Sequence, residues 1–354
     1  MRDENDHPTP GGSGWYRLAM PVQYLQEHAA EHGHTFILGN RVWFDVKKEV
    51  FTTTDWDENS YEDLDFVVLS RWMDHIAPDA IRAARASGQV VINDVDDYFD
   101  GLHPSNAAWK VTHPAYSPQS NRNIYRQVLG ASSGITVSTP FLKTKMSELN
   151  ERVVLLRNAI DLERWQARDV SGDPIVGWVG ATPYRSEDLQ TVVHPVQEFL
   201  RSHPESAFFH GGAMPNQGVE IPELMGASGR RARASSMRSI LTYPEFFANF
   251  NIGVVPLNNI PFNAAKSACK GLEYAASGIP FISTCTPEYE WLARAHLIGH
   301  VVRKPKYWKP ALNCFADADY RIQVGRDNRA RVEALDMELH WRDWLDAILE
   351  IARG

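Results

Sequence analysis

Short apolar runs rich in β-branched residues recur along the chain, and segments of helical length separate most of them. In the first half they are Thr35 to Leu38, Phe66 to Ser70 (FVVLS), Gln89 to Asn93 (QVVIN), Gly134 to Ser138 (GITVS) and Val153 to Leu156. In the second half they are Ile175 to Val179 (IVGWV), Ala207 to His210, Ile252 to Pro256 (IGVVP), Pro280 to Ser283 and Gly299 to Val302. Runs this short and continuously apolar fit strands buried on both faces, and the helices between them make the crossovers of parallel sheets. Helices are expected at Pro78 to Ala86, 121–130, Pro140 to Leu149 (entered through Thr139), Asp188 to Leu200, Pro244 to Phe250, 320–335 and 338–352. With 354 residues there is enough chain for two such domains. The reading places them at 1–160 and 172–336, with the polar stretch Gln166 to Pro174 as linker and 337–354 as a terminal helix. In that helix Trp341, Trp344, Leu345, Ile348 and Leu349 fall at helical spacing and read as packing.

The chain opens without a strand. MRDENDHPTP is polar, yet Gly11-Gly12-Ser13-Gly14 follows at once, where a doubly wound domain has its Gly-rich turn after a first apolar strand. The expectation is a first sheet with no strand built from residues 1–10 and a neighbouring edge left uncovered. Either that strand has been lost or the start codon lies upstream.

Composition narrows the function. A hydrophobic fraction of 44% and a charged fraction of 23% are those of a soluble globular chain, and no run nears the roughly 18–20 apolar residues that span a bilayer. Cys269, Cys285 and Cys314 have no CxxC spacing, which points to a reducing, cytoplasmic setting and away from structural zinc or a disulfide framework. The net charge of −8 lacks the basic excess of a dedicated nucleic-acid binder. GxSxG, HExxH and a Walker A motif are missing, and GGSGWYR does not complete a dinucleotide fingerprint.

Phosphate chemistry is written into Pro261 to Pro280, PFNAAKSACKGLEYAASGIP. The pattern predicts a helix from about Ala264 to Ala276, stopped by Gly278 with Pro280 beyond it. Lys266, Ser267 and Lys270 would then join the free N–H groups and positive dipole of the first turn, a setting for phosphate oxygens. Glu273 would share their face and offer a carboxylate to ribose hydroxyls. Gly180 to Arg185 follows a strand in the same half and suits a pyrophosphate, which arginine binds bidentately. In the first half, Asp94, Asp96 and Asp97 follow the strand Gln89 to Asn93, where such sheets bind ligands; solvated or helix-capping carboxylates are the alternative. Two basic patches, Arg230-Arg231-Arg233 and Arg303-Lys304-Lys306-Lys309 around Tyr307-Trp308, suit either a nucleic-acid strand or plain solvation.

The Pro261 to Pro280 segment resembles the donor-site signature of GT-B-fold glycosyltransferases, in particular family-4-like enzymes of bacteria and tailed phages. The resemblance implies an α/β architecture of two Rossmann-like, doubly wound domains facing across a cleft, with the terminal helix returning to the first domain. It implies a UDP- or GDP-linked nucleotide sugar as co-substrate, no further cofactor, no metal, and retention of anomeric configuration. Glu273 becomes the ribose-binding carboxylate, and Gly12, Gly14, Arg185, Lys266, Ser267 and Lys270 the rest of the donor site. An earlier glutamate of the family is replaced by Ala265, with Lys266-Ser267 beside it. Asp96 and Asp97 match the family's acidic pair and take the catalytic role, binding or deprotonating the acceptor, while Ser13, Arg17 and Asp94 fall on the acceptor side. Arg157 to Asp161 resembles the crossover between the domains, and Asn251 stands where relatives have Asp. The acceptor stays open among a virion or host protein, an envelope glycan and a modified DNA base. A sugar-nucleotide epimerase and a non-catalytic nucleotide-sugar binder remain as rivals.

Overall fold

The computed structural model describes residues 11–185, 187–215 and 217–353, so the expectation for residues 1–10 lies outside the described residues. The chain divides into two compact units.

The first unit is Ser13–Asn158 together with Ala265–Ser267 and Met337–Gly354. It carries an antiparallel sheet of β1 (Arg41–Asp45), β2 (Val50–Thr54) and β3 (Ser60–Tyr61). Sequence reading missed this sheet, because β1 and β3 are short and mostly exposed and no helix separates its strands. Its first hairpin is fixed by the Asp45 carboxylate, which accepts from the Lys47 and Lys48 amides, a turn device open to Asp and Asn. A parallel sheet follows in the order β4 (Phe66–Ser70), β5 (Val90–Val95), β6 (Gly134–Val137), β7 (Val153–Leu155). The helices Ala77–Ala86, Arg122–Ala131 and Pro140–Met146 make its crossovers, and Ile81, Val91, Val128, Ile135 and Leu142 are fully buried in the core. Thr139 caps the third helix by accepting from the Leu142 amide at 3.2 Å.

The helix Met337–Ala352 belongs to this unit and buries Trp344, Leu345, Ile348 and Ile351. It lies close across β6: a Cβ on Gly134 would stand 2.7 Å from the Ile351 side chain. Two expectations are corrected here. Thr35 to Leu38 forms no strand, for among the described residues no strand pairs with it. Asp94 is not in a loop after β5 but inside the strand, fully buried.

The second unit is built on Ala159–Ala264 and Ala268–Asp336. Its strands are β8 (Ile175–Val179), β9 (Ala207–Ala213), β10 (Ala232–Ser236), β11 (Ile252–Val255), β12 (Phe281–Thr284) and β13 (His300–Val302). They run parallel in the order β10-β9-β8-β11-β12-β13, the dinucleotide-fold order with its reversal between β8 and β11. Between β9 and β11 lie the helix Glu220–Leu224 and the edge strand β10. Gly177 is required by close packing, since a Cβ there would fall 2.0 Å from the Phe250 ring.

The expected linker is pinned to this unit. Arg321, fully buried, donates to the carbonyls of Val170 (3.0 Å) and Phe315 (2.7 Å), so its charge spreads over several carbonyl dipoles. Asn251 accepts from the Ile175 amide and donates to the carbonyls of Ser171 and Asp173. An aspartate there has no N–H to donate, which gives the asparagine a structural purpose.

Candidate donor and acceptor sites

The continuous helix expected from Ala264 to Ala276 is broken in two, Pro261–Ala264 and Cys269–Ala276. Alanine-rich sequence favours helix throughout, but tertiary contacts override it. Ala265 is fully buried in the first unit's core, and its carbonyl accepts from the Thr139 hydroxyl at 3.0 Å. Lys266 and Ser267 therefore do not lie in a first helical turn. Both belong to the first unit, where Lys266 Nζ lies 4.0 Å from the Asp97 carboxylate and the Ser267 hydroxyl accepts from Asn158 Nδ2 at 2.8 Å.

In the second unit Lys270 and Glu273 stand on the second helix and close a small network. Glu273 is 3% exposed. Its carboxylate receives Lys270 Nζ at 2.8 Å and the Tyr243 hydroxyl at 2.8 Å, and Lys270 also bonds that hydroxyl. The Lys270 ammonium lies 4.8 Å from the centre of the Tyr243 ring, within cation–π range. Tyr243 was not among the expected residues, and nothing in its surroundings in the sequence marks it. The buried phenol Tyr274 next to Glu273 is pushed up in pKa by its burial and then by the carboxylate beside it, which keeps it neutral.

The loop after β8 supplies backbone and an arginine. Gly180 donates to the Gly211 carbonyl at 2.9 Å, and a Cβ on Gly212 (φ 95°) would reach the Gly180 carbonyl at 3.3 Å. Glycines thus let these two strand ends pack closely, with Gly211 and Gly212 buried. Arg185 lies beside them: its Nε would stand 3.3 Å from a Cβ on Gly180, and that nitrogen is buried with no hydrogen-bond partner among the described residues. A buried unpaired guanidinium nitrogen is costly, and an anion would supply its partner. Below it, Trp178 stacks on His210, whose pKa burial lowers, and His210 Nε2 bonds the Gly180 carbonyl at 3.0 Å. Asp188, also buried, accepts from the Asn258 amide and Asn263 Nδ2, which ties the loop to the start of the Pro261–Ala264 helix.

The first unit gathers the acidic residues. Gly12–Gly14 form a single helical turn that continues as the π-helical stretch Trp15–Ala19 and the helix Met20–His28. Arg17 points inward: it grips Asp94 through Nη2–Oδ1 at 2.7 Å and Nε–Oδ2 at 3.0 Å, with both side chains essentially unexposed. Arg17 also donates to Leu156 O and Asn158 Oδ1, and Thr136 Oγ1 donates to Asp94 at 2.7 Å. The pair thus ties the Gly-rich turn to the ends of β5 and β7 from inside. Neither side chain reaches the surface, although the resemblance put both on the acceptor side.

Asp96 and Asp97, just past β5, meet Arg71. Its guanidinium lies 2.8 Å from Asp96, 2.7 Å from Asp97 and 2.8 Å from the Ser13 hydroxyl. Arg71 holds a left-handed backbone at φ 59°, a cost that non-glycine residues meet chiefly where surrounding structure fixes them. Burial opposes the Asp96 charge, but Arg71, then the Ser13 hydroxyl, outweigh it and hold the carboxyl below its usual range. Burial likewise opposes the Arg71 charge, and the two carboxylates push its pKa up instead. Arg71 was missed in the sequence. Its position directly after the run FVVLS, at a strand's carboxyl end, was the available signal.

The basic patches are used in part by the fold, while Arg230, Arg233, Lys304, Lys306 and Tyr307 stay exposed. Trp308 is 2% exposed in the core. Arg231 donates to Ser206 O and Leu200 O, Arg303 pairs with Glu290, and Lys309 lies 3.7 Å from Glu198. Among the described residues no three His, Cys, Asp or Glu side chains gather as metal ligands, and no helix is long and apolar enough to cross a membrane.

No family model matches the chain, and no curated protein matches it either. Solved structures do. A sucrose-phosphate synthase from Thermosynechococcus elongatus aligns over 98% of this chain and 80% of its own, at 13% identity and a TM-score of 0.58. HepE of Anabaena, in complex with UDP and glucose, aligns over 81% and 77%, at 11% identity and a TM-score of 0.56. TarM aligns over 86% of this chain at 9% identity and a TM-score of 0.56, and the chain spans 63% of TarM's length. At such identities the likeness is one of fold: an α/β chain with two Rossmann-like domains of the GT-B type.

Proposed function

We propose that this chain is a glycosyltransferase of the family-4-like, bacterial or tailed-phage type, moving a sugar from a nucleotide-sugar donor to an acceptor hydroxyl with retention. The observation that carries the proposal is the Tyr243–Lys270–Glu273 network on a fold shared with HepE, whose structure holds UDP and glucose. Glu273 serves as acceptor for ribose hydroxyls, and the Tyr243 and Lys270 contacts aim it. Arg185, with its unpartnered Nε, serves the pyrophosphate, and its charge stabilises the departing diphosphate. The donor is UDP- or GDP-linked, no cofactor or metal takes part, and the cytoplasm is the setting, in keeping with three free cysteines.

In the first unit the Arg71–Asp96–Asp97 cluster takes the acceptor. A carboxylate held below its usual pKa is a weak proton acceptor, so Asp96 orients the attacking hydroxyl and does not deprotonate it. Asp97, the more exposed of the two at 20% against 11%, is the one placed to meet a substrate hydroxyl. Arg17 and Asp94 act through the shape of the Gly12–Gly14 turn. Burial of Trp308 and the internal use of Arg231 take one stacking ring and one cation from the basic patches, and the acceptor is a virion or host protein, an envelope glycan or a modified DNA base.

The test is turnover of UDP- and GDP-sugars, followed as released nucleoside diphosphate, with and without protein, glycan or hydroxymethylated-DNA acceptors. Acceptor-dependent release supports transfer. Conversion of the sugar without release is the epimerase outcome, and binding without any turnover of either donor is the non-catalytic one.

A further inference from the structure

The second unit holds a cavity of about 400 Å³ at the carboxyl end of the helix Cys269–Ala276, the end away from Lys270. One wall is the helix Ala318–Val332, where Ile322, Arg326 and Arg329 follow at spacings of four and three and so share a face. The other wall is residues 167–170, with Arg168 and Val170. Between them lies Gly278, where a Cβ would meet nothing closer than 3.8 Å.

Three arginines thus border one small space, and among the described residues none of them pairs with a carboxylate. Arg168 donates to the Pro244 carbonyl through Nη2 at 3.2 Å, and Arg329 donates to the Ala276 carbonyl through Nη1. Arg326 is exposed and makes no hydrogen bond among the described residues. Two acids also line the cavity, but Asp169 accepts from the Ser171 amide at 2.9 Å and Glu333 stays exposed. Burial pushes the Arg329 pKa down, and the charges of Glu333 and Asp336 offset this only in part. Like charges gathered at a half-buried surface call for an anion. The carboxyl end of a helix ordinarily repels one. Here the Ala276 carbonyl is taken by Arg329 and the Ser277 carbonyl by the Arg168 amide at 2.9 Å, so that repulsion is blunted.

We propose that this cavity binds a small phosphate monoester at a site separate from the donor site. Guanidinium forks match phosphate oxygens, and a phosphate offers one more oxygen than a carboxylate to a set of three arginines. Ile322 and Val170 give apolar surface to the carbon skeleton. The volume lies at the small end of ligand pockets, room for a phosphate and a few carbons.

The test is calorimetric titration of the full chain with glycerol 3-phosphate at about 150 mM salt, where loose surface attraction is screened. Saturable binding at one site is expected. Arg326→Ala is expected to weaken it by roughly tenfold or more, the loss of a charged hydrogen bond, and Arg326→Lys to recover part of the affinity. Arg326 has no partner to lose, so an unchanged Tm is expected alongside. Arg230→Ala, an exposed arginine away from the cavity, is expected to bind as the wild type does. Absence of saturable binding overturns the proposal, as does an Arg326→Ala isotherm like that of the wild type. Equal affinity for succinate or inorganic phosphate overturns it in favour of an adventitious ion only. Displacement by UDP overturns it by moving the ligand to the donor site. Failure of the nucleotide reading shows separately, as absence of UDP binding, and leaves these isotherms to decide on their own.

Discussion

Glu273 and Tyr243 are joined by a hydrogen bond of 2.8 Å from the phenol to the carboxylate, across 30 residues of chain. The bond fixes the rotamer of a carboxylate that has almost no exposure, and Lys270 neutralises it from three residues away. Tyr243→Phe removes one neutral donor and leaves the salt bridge. Nucleoside diphosphate affinity is expected to fall by about 0.5–1.5 kcal/mol, severalfold in Kd. Lys270→Met leaves the buried carboxylate without its cation and is expected to cost more, in folding stability as well as in affinity. Calorimetry and denaturant unfolding separate the two effects.

The Arg17–Asp94 pair differs, two charges that are both fully buried and held against each other. Arg17→Met leaves Asp94 buried and unpaired, with an expected loss of about 3–5 kcal/mol in unfolding free energy. The double substitution Arg17→Met with Asp94→Leu is expected to recover much of that loss, because no lone charge remains. Guanidinium midpoints measure both. Additive losses in the double variant would contradict the assignment.

Asp96 sets a pH dependence. Its folded-state pKa lies below the unfolded value, so its contribution to stability is complete above the unfolded carboxylate range near pH 4. That contribution fades as pH falls through the folded value. Asp96→Asn is expected to lower stability at pH 7 and to flatten the acid limb of the stability profile, read as Cm against pH from 3 to 7. An acid limb of unaltered slope would show that Asp96 is not the group held down by Arg71.

Gly325 gives a packing test inside the second unit. A Cβ there would lie 2.2 Å from the carbonyl oxygen of Gly278, itself at φ 68°, and main chain cannot yield as a side-chain tip can. Gly325→Ala is expected to destabilise by about 1–3 kcal/mol or more. Gly172→Ala meets no atom within 4 Å and costs only its backbone strain at φ 76°, so it serves as the reference in thermal unfolding.

Much of the architecture was legible in the sequence, and the failures have physical causes. Phe66 to Ser70 and Ile175 to Val179 were read to the residue, since each is a short, nearly continuous apolar run that ends at polar or glycine residues, as strands of parallel sheets are. The strand Thr35 to Leu38 failed because apolar β-branched character marks a strand's capacity to pair, and among the described residues no strand pairs with it. The helix break at Ala265 failed because local propensity has no knowledge of the Thr139 hydroxyl that takes its carbonyl. In the candidate sites, Glu273, Lys270 and Arg185 came from helix-end and strand-end logic. Arg71 and Tyr243 reach their partners only through the folded chain, so the sequence offered their positions but not their contacts.

The central claim is that helix Cys269–Ala276 presents a nucleotide-binding carboxylate. Calorimetric titration of the wild-type chain and of Glu273→Ala with UDP and with GDP tests it most directly. The account predicts saturable binding of one nucleotide by the wild type. In the variant that binding weakens by roughly tenfold to a hundredfold, the equivalent of about 1.5–3 kcal/mol for a hydrogen bond to a charged group, while the fold persists. Equal affinity in the two proteins, or no binding of either nucleotide by the wild type, would contradict it.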